Sequence, residues 1–122
     1  MIVRRTLFAI ARSSLASHFI GWMFERMSCL IPIQRLRDTR YAFAFYHPKP
    51  SYAVHILIVP KKRIGGMIDL SETDGELLVE VFQIVRSLVT ELELEERGYR
   101  LIANGGPYQD VPQLHFHLIC ES

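Results

Sequence analysis

Cysteine is almost missing from this chain. Cys29 and Cys120 stand far apart with no Cys-x-x-Cys spacing. That excludes a dense disulfide framework and a cysteine-based zinc knuckle, and makes a reducing compartment the simpler expectation. Excess charge is missing too. The 14 Lys and Arg against 13 Asp and Glu leave a net charge of +1, so no global field draws the chain to nucleic acid, and no nucleic-acid partner is expected. No segment has the roughly 20 apolar residues of a membrane span. Without an internal repeat, a low-complexity tract or a linker, 122 residues that are 49% hydrophobic read as one domain around one core.

Acid is absent from residues 1–24, which carry Arg4, Arg5, Arg12 and several serines. The composition is that of a mitochondrial presequence. The same stretch also has a helical period. Phe8, Ala11, Leu15, Phe19, Met23, Met27 and Leu30 recur at spacings of three and four, opposite Ser14, His18, Gly21, Glu25 and Ser28. This predicts a helix over about 7–29. Ile20, Trp22, Phe24 and Ile31 widen its apolar arc beyond what one core requires. Three destinations stay open for residues 7–31: the protein's own core plus a partner subunit, a membrane surface, or a targeting route. The expected location is cytoplasmic, with an organellar or membrane-peripheral one as the alternative.

Pro32 ends that helix. Residues 33–37 and 40–46 then read as strands around a turn at Asp38-Thr39, and 54–59 as an apolar strand closed by Pro60. His55 is the one ionisable residue in the latter. Lys61-Lys62-Arg63 reads as a solvated basic run in preference to a phosphate-steering patch. Ser71-x-x-Asp74 forms a capping box. It opens a helix over 72–92 whose stripe is Leu77, Leu78, Val81, Ile84, Val85, Leu88 and Leu92. Glu91, Glu93, Glu95 and Glu96 read as surface. Residues 99–103 form a further strand, and Asn104-Gly105-Gly106-Pro107 a turn.

The last stretch alternates strictly. In a strand, Gln113, His115 and His117 line one face and Leu114, Phe116 and Leu118 the other. Neighbours on the polar face stand roughly 6.5–7 Å apart. Imidazole serves as nucleophile, acid or metal ligand near neutral pH. One histidine on a strand is usually structural. Two on one face, beside a Gly-Gly-Pro loop and with His55 upstream, make a candidate site. A three-nitrogen metal site of His115, His117 and His55 is an alternative reading of the same residues.

The run Gln109-Asp-Val-Pro-Gln-Leu-His-Phe-His-Leu-Ile, with Asn-Gly-Gly before it and His55-Ile-Leu-Ile-Val-Pro-Lys-Lys-Arg-Ile upstream, resembles the histidine triad family of nucleotide hydrolases and transferases. The family's closing motif is Gln-x-Val-x-His-φ-His-φ-His-φ-φ, where φ is apolar. Gln109, Val111, His115 and His117 match it in register, and Gln113 occupies the place of the first histidine. The resemblance runs from about residue 33 to the end. It implies an α+β fold, with a mainly antiparallel five-stranded sheet and one long helix. In this chain residues 32–122 form that domain and residues 1–31 a helical extension. It also implies a nucleotide substrate, a homodimer, and neither metal nor other cofactor.

The resemblance further implies that His115 attacks an α-phosphorus to form a nucleotidyl-histidine. The carbonyl of Gln113 would orient it, and on that role alone Gln113→Ala would keep substantial activity. His117 would be a general acid tuned near neutral pH. His55, Asn104 and Gln109 match substrate-binding positions. The chain departs from the family at two more positions: His47 stands where an Asp holds the nucleotide ribose, and Asp110 where Ser or Thr is usual. These departures admit a second reading, a nucleotide- or phosphate-binding module of the same fold without turnover.

Overall fold

Alternating apolar residues build the sheet, and a helix with one apolar stripe covers it. The computed structural model describes residues 34–122; the helix expected over 7–29 and the start of the first strand lie outside the described residues. The five strands are β1 (Arg37–Asp38), β2 (Ala42–Tyr46), β3 (Val54–Pro60), β4 (Arg100–Ile102) and β5 (Phe116–Cys120). All pairings are antiparallel, in the spatial order β1-β2-β3-β5-β4. The long helix α1 spans Gly75–Glu91, and a short α2 spans Leu94–Arg97.

The α+β class is as the sequence implies; several boundaries move for local reasons. Asp38 pairs with Phe43, and Thr39 N–H donates to Ala42 O at 2.8 Å, so the first turn follows Asp38 instead of containing it. Glu72–Asp74 is a 3₁₀ turn ahead of α1. There the Asp74 carboxylate accepts the Ser71 N–H at 2.9 Å, as the capping box predicts, and also the Lys62 ammonium at 2.6 Å. Lys61 reaches Asp38 at 2.5 Å, so two of the three basic residues read as a solvated run are structural ties. Glu91, Glu93, Glu95 and Glu96 are all exposed, as read from the sequence. Glu93 takes a left-handed φ of 54° between the two helices, and Leu94 after it is completely buried.

One sheet face presents Ala42, Ala44, Ile56, Ile58, Phe116, Leu118 and Cys120 to Leu77, Val81, Ile84, Val85 and Leu88 of α1. The two β2 alanines leave room for the helix to lie close. Burying each large side chain here contributes about 1.5–3 kcal/mol. The opposite face carries Phe43, Phe45, Val59 and Ile119, all buried. Farther along the same face stand the histidines.

Candidate active site

Strand register brings the histidines together. His47 follows β2, and its N–H donates to His55 O at 2.8 Å, which extends the β2–β3 ladder by one pair. His117 in β5 faces Leu57 in β3, diagonal to His55. The rings form a row. His47 stacks on His55 with 4.4 Å between centroids, His55 lies 5.2 Å from His117, and His117 lies 5.0 Å from His115. Tyr52 stands edge-on to His55 at 5.3 Å. β4 pairs Ile102 with His117. Asn104 follows β4 by two residues and is half-buried.

Hydrogen bonds assign the tautomers. Ser51 N–H donates to His55 Nδ1 at 3.2 Å, so the neutral His55 ring carries its proton on Nε2. That N–H donates to His117 Nδ1 at 2.9 Å, and His117 in turn holds a proton on Nε2. His115 Nδ1–H donates to the Gln113 carbonyl at 2.6 Å, which leaves a lone pair on His115 Nε2. The row therefore offers a nucleophilic nitrogen beside a neutral N–H donor.

Electrostatics keep the free site uncharged around His117. Burial, followed by the neighbouring His115, His55 and His47, pushes the His117 pKa down to about 4, with Asp110 opposing the shift. Burial and then His47 also lower that of His55. This corrects the expectation that His117 is tuned near neutral pH. Packed among imidazoles, it is neutral at pH 7 and takes up a proton only when a negative charge arrives.

Two glutamines hold the loops. The strict alternation expected from residue 113 does not hold. Gln113 N–H donates to Val111 O at 2.8 Å in a tight turn, and β5 starts only at Phe116. The Gln113 side chain does not join the imidazoles. It is 1% exposed; its Oε1 accepts the Ile64 N–H at 3.2 Å and its Nε2 donates to Lys62 O at 3.1 Å. Gln113 thus supplies a carbonyl to His115 and also clamps the segment after β3, so replacing it is a larger change than a carbonyl-only role implies. Gln109 Nε2 donates to Gly65 O at 2.7 Å and to Val111 O at 2.9 Å. A Cβ on Gly66 would come within 3.0 Å of Gln109 Oε1, so glycine there lets the two loops touch. Asp110 is exposed at the mouth of the site.

His55 and His117 point at each other and not at a common centre. Among the described residues no three His, Cys, Asp or Glu side chains are grouped as metal ligands. Sequence reasoning did not identify the Lys49 and Ser51 backbone donors, the Gly65 carbonyl or the Ile64 amide. The proline pair around Lys49 was the available signal for the first two, because it leaves only Lys49 and Ser51 with an N–H between residues 48 and 51.

Comparison with known proteins agrees with the fold. The HIT domain family matches residues 30–122. A HIT-like protein of Helicobacter pylori (strain ATCC 700392 / 26695) is 31% identical over 91 residues, covering 73% of this chain and 85% of its own. The adenosine 5'-monophosphoramidase HNT1 of Saccharomyces cerevisiae is 32% identical over 73% of this chain, which spans 54% of that longer protein. The crystal structure of a HIT family hydrolase from Legionella pneumophila Philadelphia 1 superposes with a TM-score of 0.67 at 34% identity, covering 73% of this chain and 81% of the other.

Proposed function

The chain belongs to the HIT domain family, and from that premise we propose that it is a nucleotide hydrolase or nucleotidyl transferase. It cleaves an α-phosphorus linkage, of a nucleoside phosphoramidate or a dinucleoside polyphosphate, through a covalent nucleotidyl-histidine. The observation that carries the reading is the bond from His115 Nδ1–H to the Gln113 carbonyl, which turns the lone pair of Nε2 outward as a nucleophile. The Legionella hydrolase and the yeast phosphoramidase supply the reaction class by similarity.

Attack by His115 Nε2 on phosphorus expels the leaving group and forms a P–N bond. His117 Nε2–H donates to the phosphoryl group or to the departing atom. The negative charge of the entering phosphate raises the basicity of His117, which takes a proton from solvent at Nδ1, releasing its bond with His55, and gives its Nε2 proton to the departing atom. Water then breaks the P–N bond and frees His115. His55 fixes the tautomer of His117 in the free site, Asn104 would donate to a phosphate oxygen, and Gln109 holds the loop that carries Asp110.

The test is incubation with adenosine 5′-phosphoramidate and diadenosine polyphosphates, followed by chromatography, with a His115→Ala control. Release of AMP by the parent and not by the variant supports the reading. Stoichiometric nucleotide binding without product favours the binding module.

A homodimer is part of the same proposal. Phe82 and Tyr99, 54% and 41% exposed, line an open cavity of about 560 Å³ with Val85 and Val89, rimmed by Glu93, Glu95 and Glu96. An exposed apolar surface of this kind suits a second copy. A monomeric mass by light scattering at micromolar concentration would overturn that part. The cytoplasmic location is likewise proposed, and mitochondrial import of a full-length fluorescent fusion would contradict it.

A further inference from the structure

Residues 61–66 join β3 to the next turn without regular structure, and the chain just before His115 is built against them. Gln113 Nε2 donates to Lys62 O at 3.1 Å, and Gln113 Oε1 accepts the Ile64 N–H at 3.2 Å. Leu114 N–H donates to Ile64 O at 2.7 Å. Gln113 then presents its own carbonyl to His115 Nδ1–H at 2.6 Å. The orientation of His115 is therefore only as firm as the placing of residues 62–64.

What anchors those residues lies on the helix side. Lys62 Nζ donates to Asp74 Oδ1 at 2.6 Å, in the turn that opens α1. The Lys62 side chain is 54% exposed and that of Asp74 3%. An exposed pair holds little in place, because both side chains are free to move. A buried carboxylate is different, since leaving it without its counter-charge is costly. The other oxygen of Asp74 accepts the Ser71 N–H at 2.9 Å, so the carboxylate itself is fixed. It holds the ammonium, and through it the backbone of Lys62.

We infer that Lys62 and Asp74 are positioning residues for the nucleophile. The ion pair sets the Lys62 carbonyl, that carbonyl and the Ile64 amide hold the Gln113 side chain, and Gln113 orients His115. Both act through Gln113, and neither is a catalytic residue. The inference rests on the nucleotidyl-transfer reading of His115. Misplacing a reacting group by about 1 Å costs about 10²-fold in rate. The intervening bonds absorb part of any shift, so about tenfold is expected here. Two other roles for the pair predict different results. A cap on α1 acts on stability alone. A cation steering phosphate acts on KM and fades with salt.

The test compares the full chain with Lys62→Met, Lys62→Arg, Asp74→Asn and Ser71→Ala. Each is assayed for kcat and KM on adenosine 5′-phosphoramidate and for melting temperature. The ring-nitrogen shifts of His115 are followed by NMR on labelled protein without substrate. Lys62→Met keeps the apolar stem and removes the ammonium. It should lower kcat about tenfold, leave KM within about twofold, and move the His115 shifts toward the Nε2–H tautomer. Asp74→Asn should match it in rate, and Lys62→Arg, which restores the pair, should recover most of the loss. Ser71→Ala takes a hydroxyl from Asp74 and leaves the Lys62 bond, so it should lower the melting temperature with kcat unchanged. An unchanged kcat in folded Lys62→Met, a rise in KM alone, or an equal loss of kcat in Ser71→Ala would overturn the inference. A parent without turnover overturns the reaction assigned to the site. The NMR comparison then decides the positioning role by itself, and unaltered His115 shifts in Lys62→Met overturn that role too.

Discussion

The two faces of one sheet are ordered by different forces. Toward α1, side chains are fixed by packing: Ala44, Ile56, Ile58, Leu88 and Leu118 are completely buried, and their positions follow from shape and apolar area. On the opposite face the imidazoles are fixed by directed bonds to backbone, Ser51 N–H to His55, Lys49 N–H to His47, and His115 to the Gln113 carbonyl. The packed face sets whether the domain folds. The bonded face sets which nitrogen holds a proton and which holds a lone pair. Stability and chemistry therefore separate across a layer one strand thick, and substitutions on the two faces should differ in kind.

The largest expected effect lies on the bonded face. His115→Ala should lower the turnover rate by about 10³-fold or more, while nucleotide binding and melting temperature change little. A rate assay paired with calorimetry checks this. An equal loss of binding would mean that His115 holds the ligand and does not attack it.

Leu88→Ala is its counterpart on the packed face. Emptying this site should cost about 2–5 kcal/mol of stability, read by denaturant unfolding, with the turnover of the folded fraction unchanged. A variant of full stability and reduced rate would erase the separation of the faces.

Gln113→Ala sharpens the comparison because Gln113 serves both faces. Its side chain clamps Lys62–Ile64, and its carbonyl orients His115. Removing the side chain leaves the buried Ile64 amide without its partner and should cost about 1–3 kcal/mol. Because the carbonyl stays, the turnover rate should fall far less than in His115→Ala. Collapse of the rate in a stably folded Gln113→Ala would show that the clamp governs the chemistry.

The smallest effects are in pH dependence, where the faces should separate by window. His117 titrates at about 4 in the fold against about 6.5 unfolded. Between these values the unfolded chain binds more protons, so stability is present above pH 6.5 and declines as pH falls toward 4. His55, also lowered, acts in the same direction. Asp74 is held below the usual carboxylate range by Lys62 and then by the Ser71 amide. Its contribution is present above its unfolded value and is lost only as pH falls through the folded one. Melting temperature against pH should show the upper slope reduced in His117→Ala and the lower one reduced in Asp74→Asn. Because His117 is neutral in the free site and must gain a proton to act as the acid, kcat/KM should fall as pH rises above neutrality.

How much of this was legible in the sequence follows from the same division. The α1 stripe, the capping box at Ser71 and Asp74, and the apolar side of β5 could be read because packing imposes a period on residue type. His115, His117 and His55 could be picked out by spacing and by resemblance. The imidazole row across β2, β3 and β5 was not legible, since it depends on the register that sets His47 beside His55. The clamp by Gln113 was hidden because a tight turn at Val111 breaks the alternation that residues 113–119 display. The depressed pKa of His117 was hidden for a related reason: burial among three imidazoles is a property of the assembled face.

The nucleophilic role of His115 Nε2 is tested most directly by trapping the intermediate. The full chain is mixed with adenosine 5′-phosphoramidate, quenched under alkaline conditions that preserve a P–N bond, digested and analysed by mass spectrometry. One adenylyl group should appear on the peptide containing His115, localise to that residue by fragmentation, disappear on mild acid treatment, and be absent from His115→Ala. An adenylyl group on His117 or His47, or steady turnover in the His115→Ala variant, would contradict the account.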